Sequence, residues 1–324
     1  MTALPNFSII IPTYRRPERL GACLEALTAL DYPRDHFEVI VVDDGSGPAG
    51  PGLATSAGET LDVTLVRQPH AGPATARNTG SAQARGDYLA FTDDDCTPDA
   101  GWLRALAAQI IRAPDHAIGG RIVNALPDNP FATASQSLTD FLYSWHAERR
   151  SGRFFVSCNL AVSAELFRRR GGFHPAFTLP AGEDREFCHR WVTAGGGMTY
   201  AHEAVVYHAN QLTLKSFWRQ HFGYGRGAFL VHRLRSLDQP RVAAPLAFYL
   251  RLVAFPLFRT PRGRRLTLTA LLALAQAATV CGYSRERFRR LQPWTELAID
   301  RRGPEYMTRS HEPSRITRNQ PHRR

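Results

Sequence analysis

Three short runs of charged and polar residues in the first third of the chain have the chemistry to bind a metal ion or a phosphate group. The most concentrated run is Asp93-Asp94-Asp95. Adjacent carboxylates repel one another and lose hydration where they are partly buried, so a compensating cation is expected beside them. A hard divalent ion such as Mg²⁺ or Mn²⁺ supplies that charge and also bridges the phosphates of a substrate. The alternative interpretation of this run is a solvated acidic turn.

The other two runs are Pro12-Thr13-Tyr14-Arg15-Arg16 and Asp43-Asp44. Each of the three runs follows an apolar segment typical of a buried strand, and these segments cover residues 7–11, 37–42 and 88–92. A further strand is predicted over 61–66. Because ligands gather outside the carboxyl ends of parallel strands, we expect the three runs to form one site.

The remaining periodicity places helices between and after these strands. Apolar residues at helical spacing predict helices over 18–30, 74–85 (with Gly86 as the cap), 102–111, 164–170 and 184–194. Strands are predicted over 117–123, 153–162 and 198–208. The alternation predicts an α/β fold with a mostly parallel central sheet flanked by helices. Residues 124–152 carry Pro, Asn and Ser and are interpreted as irregular.

The chain beyond residue 210 differs in character. Two apolar stretches, 242–258 and 266–283, predict a C-terminal helical region over 211–283, followed by a basic, disordered tail over 284–324. The second stretch has 18 uncharged residues flanked by arginines, which suits an anionic lipid surface. We expect an interfacial helix, with a buried helix or dimer contact and a true membrane span as alternatives.

The composition is that of a folded soluble protein, with 44% hydrophobic and 21% charged residues, and excludes collagen, coiled coil and wholesale disorder. The formal net charge is +11, which fits an anionic ligand, nucleic acid or an acidic membrane face. Five cysteines without a CxxC pair argue against a zinc ribbon or a disulfide framework. Since the N-terminus lacks the features of a secretory signal, we expect a cytoplasmic protein, peripheral on the inner face of the membrane if residues 266–283 bind lipid.

Seven motifs in order resemble the signature of family 2 glycosyltransferases over roughly residues 6–210. They are Ser8-Ile9-Ile10-Ile11-Pro12-Thr13-Tyr14-Arg15-Arg16, Val41-Val42-Asp43-Asp44-Gly45-Ser46, Ala76-Arg77-Asn78, Phe91-Thr92-Asp93-Asp94-Asp95, Cys158-Asn159-Leu160-Ala161, Gly171-Gly172-Phe173 and Gly182-Glu183-Asp184. The resemblance implies a GT-A fold over 1–210, with a nucleotide-binding half (1–100) and an acceptor half (101–210). It also implies inverting, metal-dependent transfer of a sugar from a nucleotide-sugar, with a UDP-sugar as the expected donor.

The resemblance also implies roles for individual residues. The expected nucleotide-sugar contacts are Pro12, Thr13, Tyr14, Arg16, Asp44, Arg77, Asp93, Asp94, Asn159 and Glu183. The expected ligands of Mn²⁺ or Mg²⁺ are Asp93, Asp95 and His208, and the expected catalytic base is Asp184. A carboxylate can take the proton of an acceptor hydroxyl as the new bond forms. Each role has a structural alternative: Asp44 could cap a turn, Arg77 could be a surface helix residue, and Glu183-Asp184 could be an acid pair favoured by a helix dipole. His208 could likewise be merely structural.

The acceptor is expected to be a glycan, a lipid-linked molecule or a small molecule, contacted from residues 124–152. The QxxRW element of processive synthases is missing, which favours the addition of a single sugar. Gly223-Tyr224-Gly225-Arg226-Gly227 is not a dinucleotide loop, because no βαβ unit with an acidic residue follows it. The alternatives are a nucleotidyltransferase on a similar fold and an arginine-rich nucleic-acid-binding protein. We nevertheless expect that the protein does not bind nucleic acid.

Overall fold

The core of the molecule is a twisted eight-stranded sheet in a computed structural model that describes residues 4–47, 60–148, 154–235 and 245–289. Its strands lie in the order β3-β2-β1-β4-β7-β6-β8-β5. Their bounds are β1 Phe7–Thr13, β2 Phe37–Asp43, β3 Val63–Arg67, β4 Tyr88–Phe91, β5 Cys96–Pro98, β6 Ala117–Asn124, β7 Leu160–Ser163 and β8 Met198–His208.

Helices cover both faces of the sheet. They are α1 Pro17–Thr28, α2 Pro73–Gln83, α3 Trp102–Arg112, α4 Pro130–Glu148, α5 Ala164–Arg169, α6 Glu183–Thr193, α7 Leu214–Arg235, α8 Leu246–Arg259 and α9 Arg265–Arg289. Successive strand residues point to opposite faces, so Ile9 joins one hydrophobic cluster with Trp102 while Ile10 joins the other with Phe167. This two-sided burial explains why β1 is a continuous apolar run.

The sheet is parallel on one side and mixed on the other. β1 pairs in parallel with β2 and β4, and β2 pairs in parallel with β3. β7 is antiparallel to both β4 and β6, and β5 is antiparallel to β8. The predicted strand ends therefore do meet at one edge, because β1, β2 and β4 run in the same direction.

Two local predictions were wrong, and one short strand was missed. Residues 124–152, expected to be irregular, contain the 19-residue helix α4, whose first backbone amides are capped by the Asn129 side chain. The strand expected over 153–162 is shorter, because a 3₁₀ turn over Ser157–Asn159 precedes β7, and residue 153 lies outside the described residues. The three-residue edge strand β5 was not predicted, since so short a segment has no measurable period.

Helices α7, α8 and α9 form the predicted C-terminal helical region and pack on α4. Glycines bring α7 and α9 unusually close: a Cβ at Gly225 would lie 1.9 Å from the carbonyl oxygen of Thr279, and one at Gly282 would lie 1.9 Å from that of Phe222. The Gly-rich motif in α7 is thus a helix-packing surface.

Helix α9 extends further than the predicted apolar stretch. It continues to Arg289, so residues 284–289 of the expected tail are helical. The rest of the expected tail, residues 290–324, lies outside the described residues. Within the described ranges, one helix, Arg262–Arg289, is long and apolar enough to cross a membrane by length and composition. One of its faces packs inside the protein, where Leu268, Leu272 and Ala275 are buried.

Candidate active site

A cavity of about 1330 Å³ opens at the carboxyl ends of β1, β2 and β4 and extends to the C-terminal helices. Nearly all of the sequence-predicted site residues line it. These are Pro12, Thr13, Tyr14, Arg16, Asp44, Arg77, Asp93, Asp94, Asp95, Glu183, Asp184 and His208. Residues separated by almost 200 positions in the sequence therefore share one cleft.

Asn159 is the predicted site residue that does not line the cavity. Its side chain is fully buried, and its amide nitrogen donates to the carbonyl oxygens of Arg121 and Ala204 at 2.9 Å each. Its amide oxygen accepts from the Trp102 indole at 2.9 Å. Because both amide atoms are used inside the core, Asn159 ties three elements together below the site and makes no contact with the cleft.

Asp44 organises the end of the cleft that lies at β2 and β3. Its carboxylate accepts backbone hydrogen bonds from Ala71 at 2.8 Å and Gly72 at 2.9 Å. The His70 side chain lies 2.9 Å from the same carboxylate and stacks on the Tyr14 ring, with centroids 4.3 Å apart. The sequence analysis missed His70, although it follows the end of β3 as the other site residues follow β1, β2 and β4.

At the floor of the cleft, one buried guanidinium group bridges two carboxylates. The Arg77 guanidinium lies 2.6 Å from Asp93 and 3.1 Å from Glu183, and Arg77 is 3% exposed. Burial disfavours its charge, but the two carboxylates outweigh that cost and raise the pKa of Arg77 above its usual range. Burial, with the nearby charge of Asp184, raises the pKa of Glu183 to about 7. The structural alternative of a surface position for Arg77 is therefore wrong.

Asp94 and Asp95 are held by two arginines at the start of α1 and by the Thr13 hydroxyl group of β1. Asp94 accepts a hydrogen bond from Thr13 at 2.8 Å, and burial together with the charge of Asp95 raises its pKa to about 6. Asp95 lies 3.3 Å from Arg16 and 3.1 Å from Arg19. Arg19, three residues and therefore nearly one helical turn after Arg16, is a second site residue that the sequence analysis missed.

Asp95 also lies 3.3 Å from the Nε2 atom of His208. Burial disfavours the imidazolium, yet the hydrogen bond and charge of Asp95 raise the pKa of His208 to about 9. The possible metal-binding atoms of Asp95, Cys96 and His208 all lie within 4.8 Å of one another. A carboxylate and an imidazole suit Mn²⁺, whereas burial raises the pKa of the Cys96 thiol and disfavours a thiolate ligand.

The donor set therefore fits a divalent ion held by Asp95 and His208. Asp93, the third predicted ligand, is directed to Arg77 and does not belong to this group. The difference arises because Asp93 pairs with the buried guanidinium of Arg77, a long-range contact that could not be inferred from a run of three aspartates.

Asp184 stands in the first turn of α6, two residues after Gly182, whose φ of 92° is the left-handed conformation that glycine adopts without strain. A carboxylate oxygen of Asp184 accepts from the Arg185 backbone amide at 2.7 Å. Burial raises the pKa of Asp184 to about 6, so the group is ionised at neutral pH and basic enough to accept a proton.

The preceding loop is fixed by α7. A Cβ at Gly227 would lie 2.2 Å from the Ala181 carbonyl oxygen, so the absence of a side chain there lets α7 press against the loop. The same glycine motif that binds α7 to α9 thus positions the acid pair Glu183-Asp184.

Comparison with known proteins identifies the class. The glycosyl transferase family 2 model matches residues 8–171. The chain is 31% identical to Glycosyltransferase AglE of Haloferax volcanii over 250 residues, which cover 75% of this chain and 79% of AglE. It is 30% identical to the pre-mycofactocin glycosyltransferase of Mycobacterium tuberculosis over 231 residues, 69% of this chain but 47% of that protein.

The fold is also that of solved glycosyltransferases. The mannosyltransferase PcManGT from Pyrobaculum calidifontis, solved with GDP-Man and Mn²⁺, matches with a TM-score of 0.61 at 20% identity over 89% of each chain. TarS 1–349 of S. aureus, solved with UDP-GlcNAc, matches with a TM-score of 0.51 at 17% identity over 90% of this chain and 93% of TarS.

The sheet and its acidic cleft are those of a GT-A glycosyltransferase, which confirms the predicted fold class and enzyme class. The chain belongs to glycosyltransferase family 2. This assignment decides against the nucleotidyltransferase and nucleic-acid-binding alternatives.

Proposed function

We propose that the protein transfers a single sugar from a nucleoside diphosphate sugar to an acceptor hydroxyl, with inversion at the anomeric carbon and with Mn²⁺ or Mg²⁺ as cofactor. The observation that carries the proposal is the shared cleft, in which the Asp95–His208 pair and Asp184 line one cavity. A UDP-sugar is the first donor to test. The catalytic domain is assigned to residues 1–210, with halves over 1–100 and 101–210.

The donor would lie along the strand ends. The stacked Tyr14 and His70 rings offer a flat surface for a nucleobase, and Asp44 holds the loop that carries His70. Arg16 is half exposed and borders the acidic group, so its guanidinium can pair with a phosphate oxygen. PcManGT, solved with GDP-Man and Mn²⁺, supports this kind of donor complex on the same fold.

Asp95 and His208 would hold the divalent ion. When bound, the ion would supply positive charge to the diphosphate leaving group. Arg77 keeps Asp93 and Glu183 in place below the donor and neutralises their charge, which makes it a positioning residue.

Asp184 acts as the base. Its carboxylate takes the proton of the acceptor hydroxyl while the hydroxyl oxygen bonds to the anomeric carbon and the bond from that carbon to the phosphate oxygen breaks. Attack from the face opposite the leaving group inverts the anomeric configuration. No covalent intermediate with the enzyme is required, and the nucleoside diphosphate leaves with the bonding electrons.

The cellular place of the enzyme is proposed as cytoplasmic and peripheral at an anionic membrane face. Exposed apolar side chains on α8 and α9, among them Leu250 and Leu266, lie close in sequence to arginines. Flotation with anionic liposomes tests this: we expect the protein to rise with the vesicles at low salt, and recovery only in the soluble fraction would contradict it.

The donor is tested by incubating the protein with a panel of nucleotide-sugars and measuring released nucleoside diphosphate with Mn²⁺, with Mg²⁺ and with a chelator. We expect release from one donor class only, and only with a divalent ion. Equal release with the chelator would contradict metal dependence, and release from none of the nucleotide-sugars would contradict the proposal itself.

A further inference from the structure

The Ser135 hydroxyl group of α4 lies on the wall of the cavity and contacts two neighbouring side chains of α7. The Nε2 atom of Gln220 donates a hydrogen bond to Ser135 Oγ at 3.2 Å. The Nε2 atom of His221 lies 3.3 Å from the same oxygen. Gln220 also lines the cavity, whereas His221 is fully buried. None of the three belongs to the metal site, the acid pair or the Tyr14–His70 stack.

The side chain of Gln220 is oriented by a residue that follows β8. Asn210, two residues after His208, donates from Nδ2 to the Oε1 atom of Gln220 at 3.1 Å. Because this oxygen faces Asn210, the amide nitrogen of Gln220 faces Ser135. An amide nitrogen of this kind donates hydrogen bonds and does not accept them. Gln220 therefore occupies one of the two lone pairs of Ser135 Oγ.

The imidazole ring of His221 carries its single proton on the atom that faces Ser135. Burial lowers the pKa of His221 to about 4, so the ring is neutral at pH 7. Its Nδ1 atom is buried without a hydrogen-bond partner among the described residues, and the rings of Phe217 and Tyr224 pack against it. A proton on Nδ1 would be an unpaired buried donor, whereas a proton on Nε2 has Ser135 Oγ as its acceptor. His221 therefore donates to Ser135.

The hydroxyl proton of Ser135 is then left for a ligand. A serine hydroxyl group has two lone pairs and one proton. Gln220 and His221 fill the lone pairs, and the atoms that do so cannot accept the proton. Ser137, in the same helix, donates to the Thr133 carbonyl oxygen at 2.9 Å, a bond that helical serines commonly make. Ser135 makes no such bond within the described part of the chain, and its hydroxyl group borders the open cavity.

This hydroxyl group belongs to the side of the sheet opposite the surface proposed for the nucleobase. Ser135 lies in the helix after β6, and Asn210 lies directly beyond β8. In the sheet, β6 and β8 are separated from β1 by β4 and β7, whereas Tyr14 and His70 follow β1 and β3. The group of Ser135, Asn210 and the two α7 residues has no ionised side chain. It therefore suits a neutral oxygen atom, such as that of a hydroxyl group, better than an anion.

We propose that Ser135 donates a hydrogen bond to a neutral oxygen atom of the acceptor and thereby determines which acceptor hydroxyl group faces Asp184. Gln220 and His221 act through Ser135 and are positioning residues. This inference rests on the proposed function and adds a specificity-determining residue to the same site.

The first measurement needs no substrate. In the full chain labelled with ¹⁵N-histidine, the ¹⁵N chemical shifts of the His221 ring distinguish the nitrogen that carries the proton from the one that does not. The signals are assigned by their loss in His221→Gln. We expect the proton on Nε2 at pH 7. A proton on Nδ1 would overturn the inference, because the Ser135 proton would then be donated to His221.

The second measurement is sugar transfer with Mn²⁺ and the donor that the nucleotide-sugar panel identifies. Glycerol, methyl β-glucopyranoside and methyl α-mannopyranoside are the acceptor probes. Ser135→Ala should raise KM for an accepted probe by about 10-fold, with KM for the donor within about twofold of the original. Ser135→Thr keeps a hydroxyl group and should restore most of the affinity. Ser137→Ala, in the same helix but outside the cavity, is the matched control.

The outcomes separate the possible failures, and thermal unfolding shows that each variant is folded. An unchanged KM for the probe in Ser135→Ala, or a rise in KM for the donor instead, would overturn the inference. So would the failure of all three probes to raise the release of nucleoside diphosphate above its release to water. Each of these results leaves the proposed function standing. No release from any donor would overturn the proposed function, and the His221 proton position would still test the inference.

Discussion

The two ends of the cleft satisfy their charges in opposite ways. At the donor end, Asp44, Asp93 and Asp95 each have cationic or hydrogen-bonding partners from the protein, within 2.6–3.3 Å. At the opposite, proposed acceptor end, Arg185 and Arg235 line the cavity without a salt bridge to a carboxylate among the described residues, and the wall beside them mixes apolar side chains such as Leu252 with polar ones such as Gln276. The donor end is thus prepared for a compact, highly charged ligand whose metal and phosphates exchange with existing ion pairs. The proposed acceptor end instead keeps two cationic side chains at the wall of the open cavity.

The first prediction tests the donor end of the cleft by removing the proposed metal ligand Asp95. Asp95→Asn should lower turnover by about 100-fold or more, because a carboxamide neither holds a divalent ion strongly nor compensates His208, Arg16 and Arg19. The measurement is kcat over a range of Mn²⁺ concentrations. Asp115→Asn, at an exposed position outside the cavity, is the matched control. Wild-type turnover in the Asp95 variant would remove Asp95 from the metal site.

The second tests whether the acceptor end depends on close helix packing. Gly225→Ala should destabilise the protein by about 1–3 kcal/mol or more, because its methyl group would meet the backbone of Thr279. A Cβ at Gly223 would meet no atom within 4 Å, so Gly223→Ala should leave stability unchanged or raise it slightly. Urea denaturation of both variants measures the difference, and equal stabilities would show that α7 and α9 are not in close contact.

The third prediction concerns how activity depends on pH through Asp184, which lies between the two ends of the cleft. The base works as a carboxylate, and burial raises the pKa of Asp184 to about 6. Activity should therefore be complete above that pH and fall about tenfold per unit below it, as Asp184 takes up a proton. The profile of kcat/KM against pH measures this, and a flat profile between pH 5 and 8 would contradict it.

The smallest expected effect is at the nucleobase. His70→Ala removes the ring that stacks on Tyr14 and should weaken nucleotide binding by about 2- to 10-fold with kcat nearly unchanged. His202→Ala, an exposed histidine of β8 outside the cavity, serves as the control. A larger loss of kcat than of nucleotide affinity would mean that His70 takes part in sugar transfer and does not only contact the nucleobase.

The same contrast explains what could be predicted from the sequence. The donor end follows from local patterns, because a buried strand that ends in polar residues is visible in a short window, as at Thr13, Asp44 and Asp95. The proposed acceptor end depends on contacts between distant elements, such as Trp145 of α4 with Phe248 of α8. Helix α4 was not predicted because Ser and Thr, which are common in loops, recur along it, and because its cap, Asn129, precedes a proline.

One residue of a family motif was predicted to bind the substrate but lies in the core of the protein. Asn159 belongs to a motif of the family signature, yet its hydrogen bonds to Trp102, Arg121 and Ala204 lie inside the core. Only the burial of its amide group distinguishes that position from a ligand contact, and burial of a polar side chain is not visible in its residue type.

Replacement of Asp184 by Asn tests most directly the claim that both ends of the cleft meet at one base. Asp184→Asn keeps the shape of the side chain but cannot accept the hydroxyl proton, so sugar transfer should fall by roughly 10²–10⁴-fold. Affinity for the nucleoside diphosphate with Mn²⁺, measured by calorimetry on the same preparation, should stay close to that of the unmodified protein. Normal transfer by this variant, or a parallel loss of nucleotide binding, would contradict the account.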